Sequence, residues 1–400
     1  MIAGEAVFPA GRADGLGRLA RFVPQAGRDY AAGRNSDYGP HGPSTVSKLS
    51  PYLRYRLLEE QEVVAGVLAR HSLPASEKYV QEVLWRTYWK GWLEMRPAVW
   101  SRYLAERERQ RDGWADASAL ADAEAGNTGI AGFDDWAREL VETGTLHNHA
   151  RMWFASIWIF TLRLPWALGA DFFLRHLVDA DAASNTLSWR WVAGLQTAGK
   201  TYLATADNIA RYTGGRFAPA GLAREAVALR EPPIEAARPL PDAHLHDPHQ
   251  PALLLVTHED LHPETLFPQG AAIQAATVAH DPALLWGDKA RRFVATAATD
   301  TAERVGEHLR CNVQAIDRLD AQSLVAAAQA AGLRRIVTAY APVGPVADAL
   351  ARLAPQLACE GIRLSLIRRA WDEQFWPYAT KGFFPFKERI PALLKGLGLI

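Results

Sequence analysis

From residue 1 to about 225 the apolar positions recur every three or four residues, as in YLRYRLLEEQEVVAGVLARH (52–71) and EKYVQEVLWRTYWKGWLEM (77–95), with no strand-like alternation between them. That pattern predicts an all-helical half. EPPIEAARPLPDAHLHDPHQP (231–251) is rich in proline and polar residues and reads as an extended linker, with a boundary near residue 240. Beyond it the short apolar runs ALLLVT, AAIQAATVA, NVQAI, RRIVTAYA and IRLSLI alternate with the helical segments KARRFVATAATDTAERVGEHL, SLVAAAQAAGL and PVADALARLAPQL. Such alternation predicts a parallel sheet covered by helices. The expected organisation is therefore multi-domain: a helical domain over 1–230, a Pro/His-rich linker over 231–250 and a Rossmann-like α/β domain over 251–400. No GxGxxG follows the first strand, so nothing supports a dinucleotide site there.

Composition narrows the class. At 400 residues, 49% apolar and 22% charged, the chain is ordinary globular material, too long for one ordinary core. Formal net charge is zero, so a nucleic-acid surface has to be a local basic face. The start, MIAGEAVFPAGRADG, lacks a basic region followed by an apolar run, and the longest apolar patch, MWFASIWIF, is too short to span a bilayer. With only Cys311 and Cys359, the chain makes no four-cysteine metal site by itself and suits a reducing compartment. A cytoplasmic protein with no membrane partner is expected. Both cysteines read as buried small residues.

DADAASNTLSWRW (179–191) sets two carboxylates two positions apart, then an amide, then two indoles two positions apart. Asp and Asn are poor helix formers and a buried indole needs a partner for its N–H, so a helical core does not ask for this order. It points to a bound ligand. In HGPSTVSKLSPYLRYRLLEE (41–60), Ser50 before Pro51 is an N-cap and first-turn pair, and a helix starting there turns its unpaired N–H groups toward Thr45, Ser47 and Ser50. Hydroxyls, backbone amides and a positive helix end together suit a phosphate, although a simple cap explains the same residues. EVLWRTYWKGW places Glu82, Trp85, Arg86 and Trp89 on neighbouring helical faces, a carboxylate beside indoles that can grip a flat hydrogen-bonding ligand such as a base. The plainer alternative is an amphipathic helix with a surface Glu–Arg pair. TGTLHNHARMW spaces His147 and Arg151 by four, with Asn148 and Met152 one residue on, so Arg151 is either a surface charge or the partner of a buried carboxylate. HLHDPHQ, with His244, His246 and His249, suggests zinc by composition, but a proline-rich linker fixes no ligand geometry and a solvated linker is preferred. THEDLHPE adds His258 and His262 at a strand end.

Four ordered stretches carry a resemblance. TGTLHNHARMW, WALGADFFLRHLVDADAASNTLSWRWVAG, VSKLSPYL and EVLWR, spread over roughly residues 30–195, are similar to the flavin-binding core, phosphate-binding loop and substrate-facing helix of the photolyase and cryptochrome family. The resemblance implies an all-α FAD-binding domain followed by an α/β antenna-like domain, and FAD bound in a U-shape in the helical half. Carried over by position, Tyr30, Ser47, Lys48, Leu49, Ser50, Arg86, Asn148, Arg151, Asp179, Asp181 and Asn185 would hold the cofactor. Asp179 would accept from the flavin ring with Arg151 as its ion partner, Asp181 would contact the ribose side, and the Asn185 amide would lie beside flavin N5. Trp189, Trp166 and Trp114 match the chain that passes electrons inward from the surface.

On the substrate side, Glu82, Trp85, Asn148, Met152 and Trp191 match residues that hold a flipped-out cyclobutane pyrimidine dimer, with Glu82 also in the catalytic set. As in photolyases generally, a poorly stacked lesion is cheap to extrude and indole faces recover the lost stacking. The implied activity is light-driven repair of UV-damaged DNA. (6-4) repair, which in the family uses a histidine pair where this chain has His147-Asn148, is disfavoured. Two departures stand out: His149 replaces an arginine, and TAGKTYLATADNIARY (197–212) replaces the usual aromatic segment, both where DNA phosphates are gripped. Lys90, Arg190, Lys200 and Arg211 are the candidates to compensate. These departures keep open the alternative of a cryptochrome-type receptor with a signalling partner. ALLLVTHEDL and YATKGFFPFKERI resemble the entry to and exit from the family's antenna domain, which implies a circularly permuted order and leaves room for a second, antenna chromophore whose identity no motif fixes.

Overall fold

β1, Ala252–Val256, is apolar at every position because it lies in the middle of a parallel sheet with both faces covered. The computed structural model describes residues 8–242, 247–268 and 270–400. β2 (Ile273–Ala279), β3 (Asn312–Ile316), β4 (Arg335–Ala339) and β5 (Arg363–Ile367) complete a sheet of order β3-β2-β1-β4-β5, parallel throughout. Alternate β1 side chains serve opposite faces. Leu253 and Leu255 join Leu324 and Leu350 from the helices Ala321–Ala330 and Pro345–Cys359. Ala252, Leu254 and Val256 join a core continuous with the helical half, through Phe293 and Val294 of the helix Asp288–Leu309.

The helical half runs from the helix Arg12–Phe22 to the helix Ala206–Tyr212. Between Tyr212 and Ala252 the described residues hold no helix or strand. The proline-rich segment is nevertheless tied down: Arg190 pairs with Glu231, Arg102 donates to the Pro233 carbonyl at 2.9 Å, and Arg238 N–H donates to Met95 at 2.8 Å. After β5 the chain returns to the helical half. Trp371 Nε1 donates to Thr87 Oγ1 at 3.0 Å, and Tyr88 hydroxyl donates to the Lys381 carbonyl at 2.7 Å. No helix among the described residues is long and apolar enough to cross a membrane. The cysteines differ from expectation: Cys359, the last residue of its helix, is exposed and Cys311, just before β3, is half-buried, because both sit at element ends.

The carboxyl edge of the sheet, where open α/β sheets usually bind ligands, abuts the helical half in a buried polar seam. Arg54 forks onto Glu259 at 2.7 and 2.8 Å, and Arg56 donates to both Asp372 oxygens at 2.7 Å. Arg369 forks onto Asp260 at 2.6 and 2.8 Å and reaches Glu59 at 3.0 Å. Arg56 holds a left-handed backbone, φ 48°, a strained state that such pairing can maintain. Beyond β4, Tyr340 hydroxyl and Val343 N–H donate to Glu94 at 2.7 and 2.5 Å.

Burial pushes the Glu94 carboxyl up to about 7. Its neutral form is favoured in the folded state, so its contribution to stability is complete below the ordinary carboxylate range and falls as pH rises through about 7. Urea unfolding at pH values either side of that point should show a stability loss with rising pH that is smaller in Glu94→Gln; equal losses in both proteins contradict the assignment.

Candidate functional site

Asp179 and Asp181 lie between the helices Trp166–His176 and Ala182–Val192, on a stretch where Asp181 is extended (φ −127°, ψ 121°). Asp179 sits in a turn and Asp181 on the extended residue that enters the next helix, and from there both carboxylates reach one cluster of cations. Asp181 also caps the following helix, accepting from Ser184 N–H at 2.6 Å. Arg151 approaches Asp179 at 3.3 Å from the helix Asn148–Ser156. Arg86, on the helix Leu73–Glu94, lies between the two, 3.1 Å from Asp181 and 3.7 Å from Asp179. Arg54 stands 3.8 Å from Asp181. Burial alone would push both carboxyls up, but Arg151 and Arg86 outweigh it at Asp179, and Arg86, Lys90 and Arg54 at Asp181. Both stay below the ordinary range and remain ionised acceptors.

Asn185, one turn into the helix, is buried and donates its amide N–H to the Ala170 carbonyl at 2.9 Å, leaving Oδ1 as the group's acceptor. Trp189 packs into the core against Phe173, Trp158 and Phe154, with centroids 5.1, 6.2 and 6.4 Å away. Gly169 permits this, since a Cβ there would collide with the Trp189 ring. Trp166 touches Tyr103 at 5.8 Å, and Trp114 stands half-buried at the end of the helix Ala98–Gly113, its N–H donated to the Asp116 carbonyl at 2.7 Å. Trp158, on the π-helical turn Ile157–Thr161, was not singled out from the sequence; the apolar run MWFASIWIF hid it among core residues.

The loop before the helix Ser50–Arg54 departs from expectation. Leu49 takes the cap position and Ser50 is already helical, with no side-chain cap, because Lys48 in the left-handed region (φ 52°) turns the chain one residue early. The helix has five residues, so a macrodipole acting on a phosphate is not what this loop offers. Ser47 Oγ accepts from Leu49 N–H at 3.3 Å, while Thr45 Oγ1 is buried with no partner among the described residues. Tyr30 packs nearby, in edge contact with Tyr79 at 5.1 Å.

Glu82 does not pair with Arg86; its partner is Arg34, unforeseen from the sequence, and burial pushes its carboxyl up despite that cation. Trp85 is stacked on Phe383 at 3.6 Å and 11°, so one face of this expected substrate indole is taken by the short helix Phe383–Lys387. Trp191 stacks on Tyr202 at 5.7 Å. Asn148 is exposed at the first turn of its helix and Met152 is half-buried one turn on.

The expected phosphate-facing cations divide. Lys90 and Arg190 are buried, not surface charges: Lys90 Nζ has no hydrogen-bond partner among the described residues, and Arg190 is consumed by Glu231. A helix carrying interface on several sides buries positions that its charge pattern assigns to solvent. Lys200 and Arg211 are exposed. His149 stacks on Trp153 at 4.1 Å, its Nδ1 lies 2.9 Å from the Asn35 carbonyl, and burial lowers its pKa, so it is a neutral packing element. His258 is likewise interior, pushed by burial down to about 4, and His262 contacts Glu59 at 2.9 Å within the seam. His244 and His246 lie outside the described residues, and His249 is exposed. Among the described residues no three His, Cys, Asp or Glu group to hold a metal ion.

Two ionised carboxylates with the Asn185 amide oxygen one turn on suit a polar ligand that presents N–H and O–H donors. Residues 79–216 match the family described as the FAD binding domain of DNA photolyase. The chain is 36% identical over 192 residues to the deoxyribodipyrimidine photo-lyase of Streptomyces griseus, covering 45% of this chain and 40% of that protein. To the Vibrio cholerae protein of the same name it is 28% identical over 204 residues, covering 48% and 43%. A solved bacterial class III photolyase from Agrobacterium tumefaciens superposes with a TM-score of 0.43 at 26% identity, over 52% of this chain and 44% of that one. The chain thus spans only about two fifths of the length of these two curated relatives.

Arg86→Ala would leave Asp179 and Asp181 with one close cation fewer in a buried setting. Breaking a buried ion pair from one side costs about 3–5 kcal/mol, and a loss of that order in urea unfolding is expected. A loss below about 1 kcal/mol, the level of a surface pair, contradicts the shared role of this arginine.

Proposed function

We propose that the protein is a FAD-dependent photolyase that uses light to split cyclobutane pyrimidine dimers in DNA, a reading supported by the match of residues 79–216 to the FAD binding domain of DNA photolyase. The observation that carries this reading is the pair Asp179 and Asp181, kept ionised by Arg151 and Arg86 with Asn185 one turn away. FAD held here in its reduced form would supply the light-driven one-electron chemistry. The chain positions and shields. Asp179 would accept from the flavin ring, Asp181 from the ribose side, and Asn185 would serve the flavin N5 side. Tyr30, Ser47, Lys48, Leu49 and Ser50 line the phosphate side, while Arg86 and Arg151 hold the carboxylates and Asn148 borders the mouth.

Glu82, Trp85, Asn148, Met152 and Trp191 receive the extruded dimer. The raised Glu82 carboxyl, partly offset by Arg34, is suited to sharing a proton with a pyrimidine carbonyl. Trp189, Trp166 and Trp114 carry electrons inward. The family-matched segment precedes β1 in the chain, which supports a circularly permuted order with units at 1–230 and 251–400 joined by 231–250. A second chromophore would be the business of the α/β unit.

A cryptochrome-type receptor is the second reading, favoured by the neutral, packed His149 and by Phe383 lying on Trp85. Blue illumination of the reduced, FAD-loaded protein with an oligonucleotide bearing one thymine dimer separates the two. The photolyase reading predicts light-dependent return of intact thymines; bound, reduced flavin with no repair turns the assignment to the receptor.

The lesion pocket has its own check. Glu82→Ala and Trp191→Ala should each weaken binding of dimer-containing DNA by about tenfold, some 1.4 kcal/mol, the size of one lost hydrogen bond for Glu82 and of one lost base stack for Trp191, while FAD uptake is unchanged. Undiminished lesion binding in both variants removes these residues from the site.

A further inference from the structure

Glu259 belongs to the α/β half, three residues past the end of β1, yet it contacts the innermost part of the helical site. Its carboxylate takes both terminal nitrogens of Arg54, at 2.7 and 2.8 Å, with both side chains about 5% exposed. The Arg54 Nε–H donates at 2.7 Å to the carbonyl of Ala180, the residue between the two site aspartates, so all three guanidinium nitrogens are engaged. A planar guanidinium held on both edges has no rotational freedom left. Its Nε stands 3.8 Å from Asp181, attracted but beyond hydrogen-bond reach.

We propose that Glu259 is a positioning residue for the cofactor site: by pinning Arg54 it fixes the Ala180 peptide between Asp179 and Asp181 and keeps Arg54 from closing on Asp181. This rests on the reading of Asp181 as a FAD ligand. The chemistry is competitive. With the Glu259 charge removed, the nearest carboxylate open to the Arg54 fork is Asp181, which already accepts from Arg86 at 3.1 Å and from Ser184 N–H at 2.6 Å. A further charge-assisted bond there takes the acceptor capacity that a ribose hydroxyl needs. Lys90, buried nearby without a hydrogen bond, adds to the excess of positive charge around Asp181 once Glu259 is neutral. The α/β half thereby sets the site electrostatically as well as covering it.

Glu59 supplies the control, because it joins the same two halves through Arg369 and His262 and, among the described residues, pairs with neither site aspartate. The experiment is an equilibrium titration of the full-length apoprotein with FAD, read by flavin fluorescence. Glu259→Gln should weaken FAD binding at least tenfold, Glu259→Asp, which keeps the charge, should return affinity to within about threefold of wild type, and Glu59→Gln should leave it unchanged. Wild-type affinity in Glu259→Gln, or equal losses in Glu259→Gln and Glu59→Gln, overturns the proposal, the second result reducing Glu259 to a domain fastener. Should Glu259→Gln fail to fold, Arg54→Lys, which keeps a cation but cannot fork, is expected to show the same loss, and wild-type affinity there is equally decisive. A wild-type chain that takes up no FAD overturns the cofactor reading itself, a result visible before any variant is made.

Discussion

Two buried carboxylates two residues apart, with three arginines around them, are the constraint on which the rest of the structure depends. Removing a carboxylate from water costs several kcal/mol, and a buried ion pair seldom returns more than it costs, so stability does not explain why Asp179 and Asp181 are where they are. Their arginines come from three separate segments: Arg151 from the helix Asn148–Ser156, Arg86 from the helix Leu73–Glu94 and Arg54 from the short helix Ser50–Arg54. Ionised aspartates in a nearly dry site are strong hydrogen-bond acceptors of fixed direction, which suits a ligand offering imide and hydroxyl donors.

That lattice also explains how the two halves of the chain fit together. Arg54 and Arg56 lie two residues apart and both point into the seam with the α/β half, where Glu259 and Asp372 meet them. The carboxyl edge of the sheet is thus occupied by a protein partner with complementary charge. β1 and the seam act as one piece, since alternate residues of β1 belong to the core shared with the helical half. The order of the units along the chain matters little to such an interface, which depends on which groups meet.

Much of this was legible in the sequence where a local rule governs. Helical spacing located the helix Leu73–Glu94, apolar runs located the five strands of the described sheet, and the order of residues 179–191, ill suited to a helical core, singled out the acidic pair, because periodicity and helix propensity are properties of neighbours in sequence. What a distant segment decides was not legible. Arg34 reaches Glu82 from 48 residues away, and Phe383 covers Trp85 from the far end of the chain. Lys90 and Arg190 look like surface charges in a helical projection but face interfaces on more than one side. The phosphate loop failed more subtly: one left-handed residue, Lys48, shifted the helix start and put Leu49 where Ser50 was expected.

The central claim is that the arginine-held aspartates seat FAD, and the most direct measurement is the amount of FAD released per chain on denaturing the purified protein after loading, for wild type and for Asp179→Asn. Asparagine keeps the shape but removes the charge and one acceptor, so the prediction is equimolar FAD in wild type and little in the variant. Equal flavin in both proteins would mean that this carboxylate does not hold the cofactor, and that the seat lies elsewhere in the helical half.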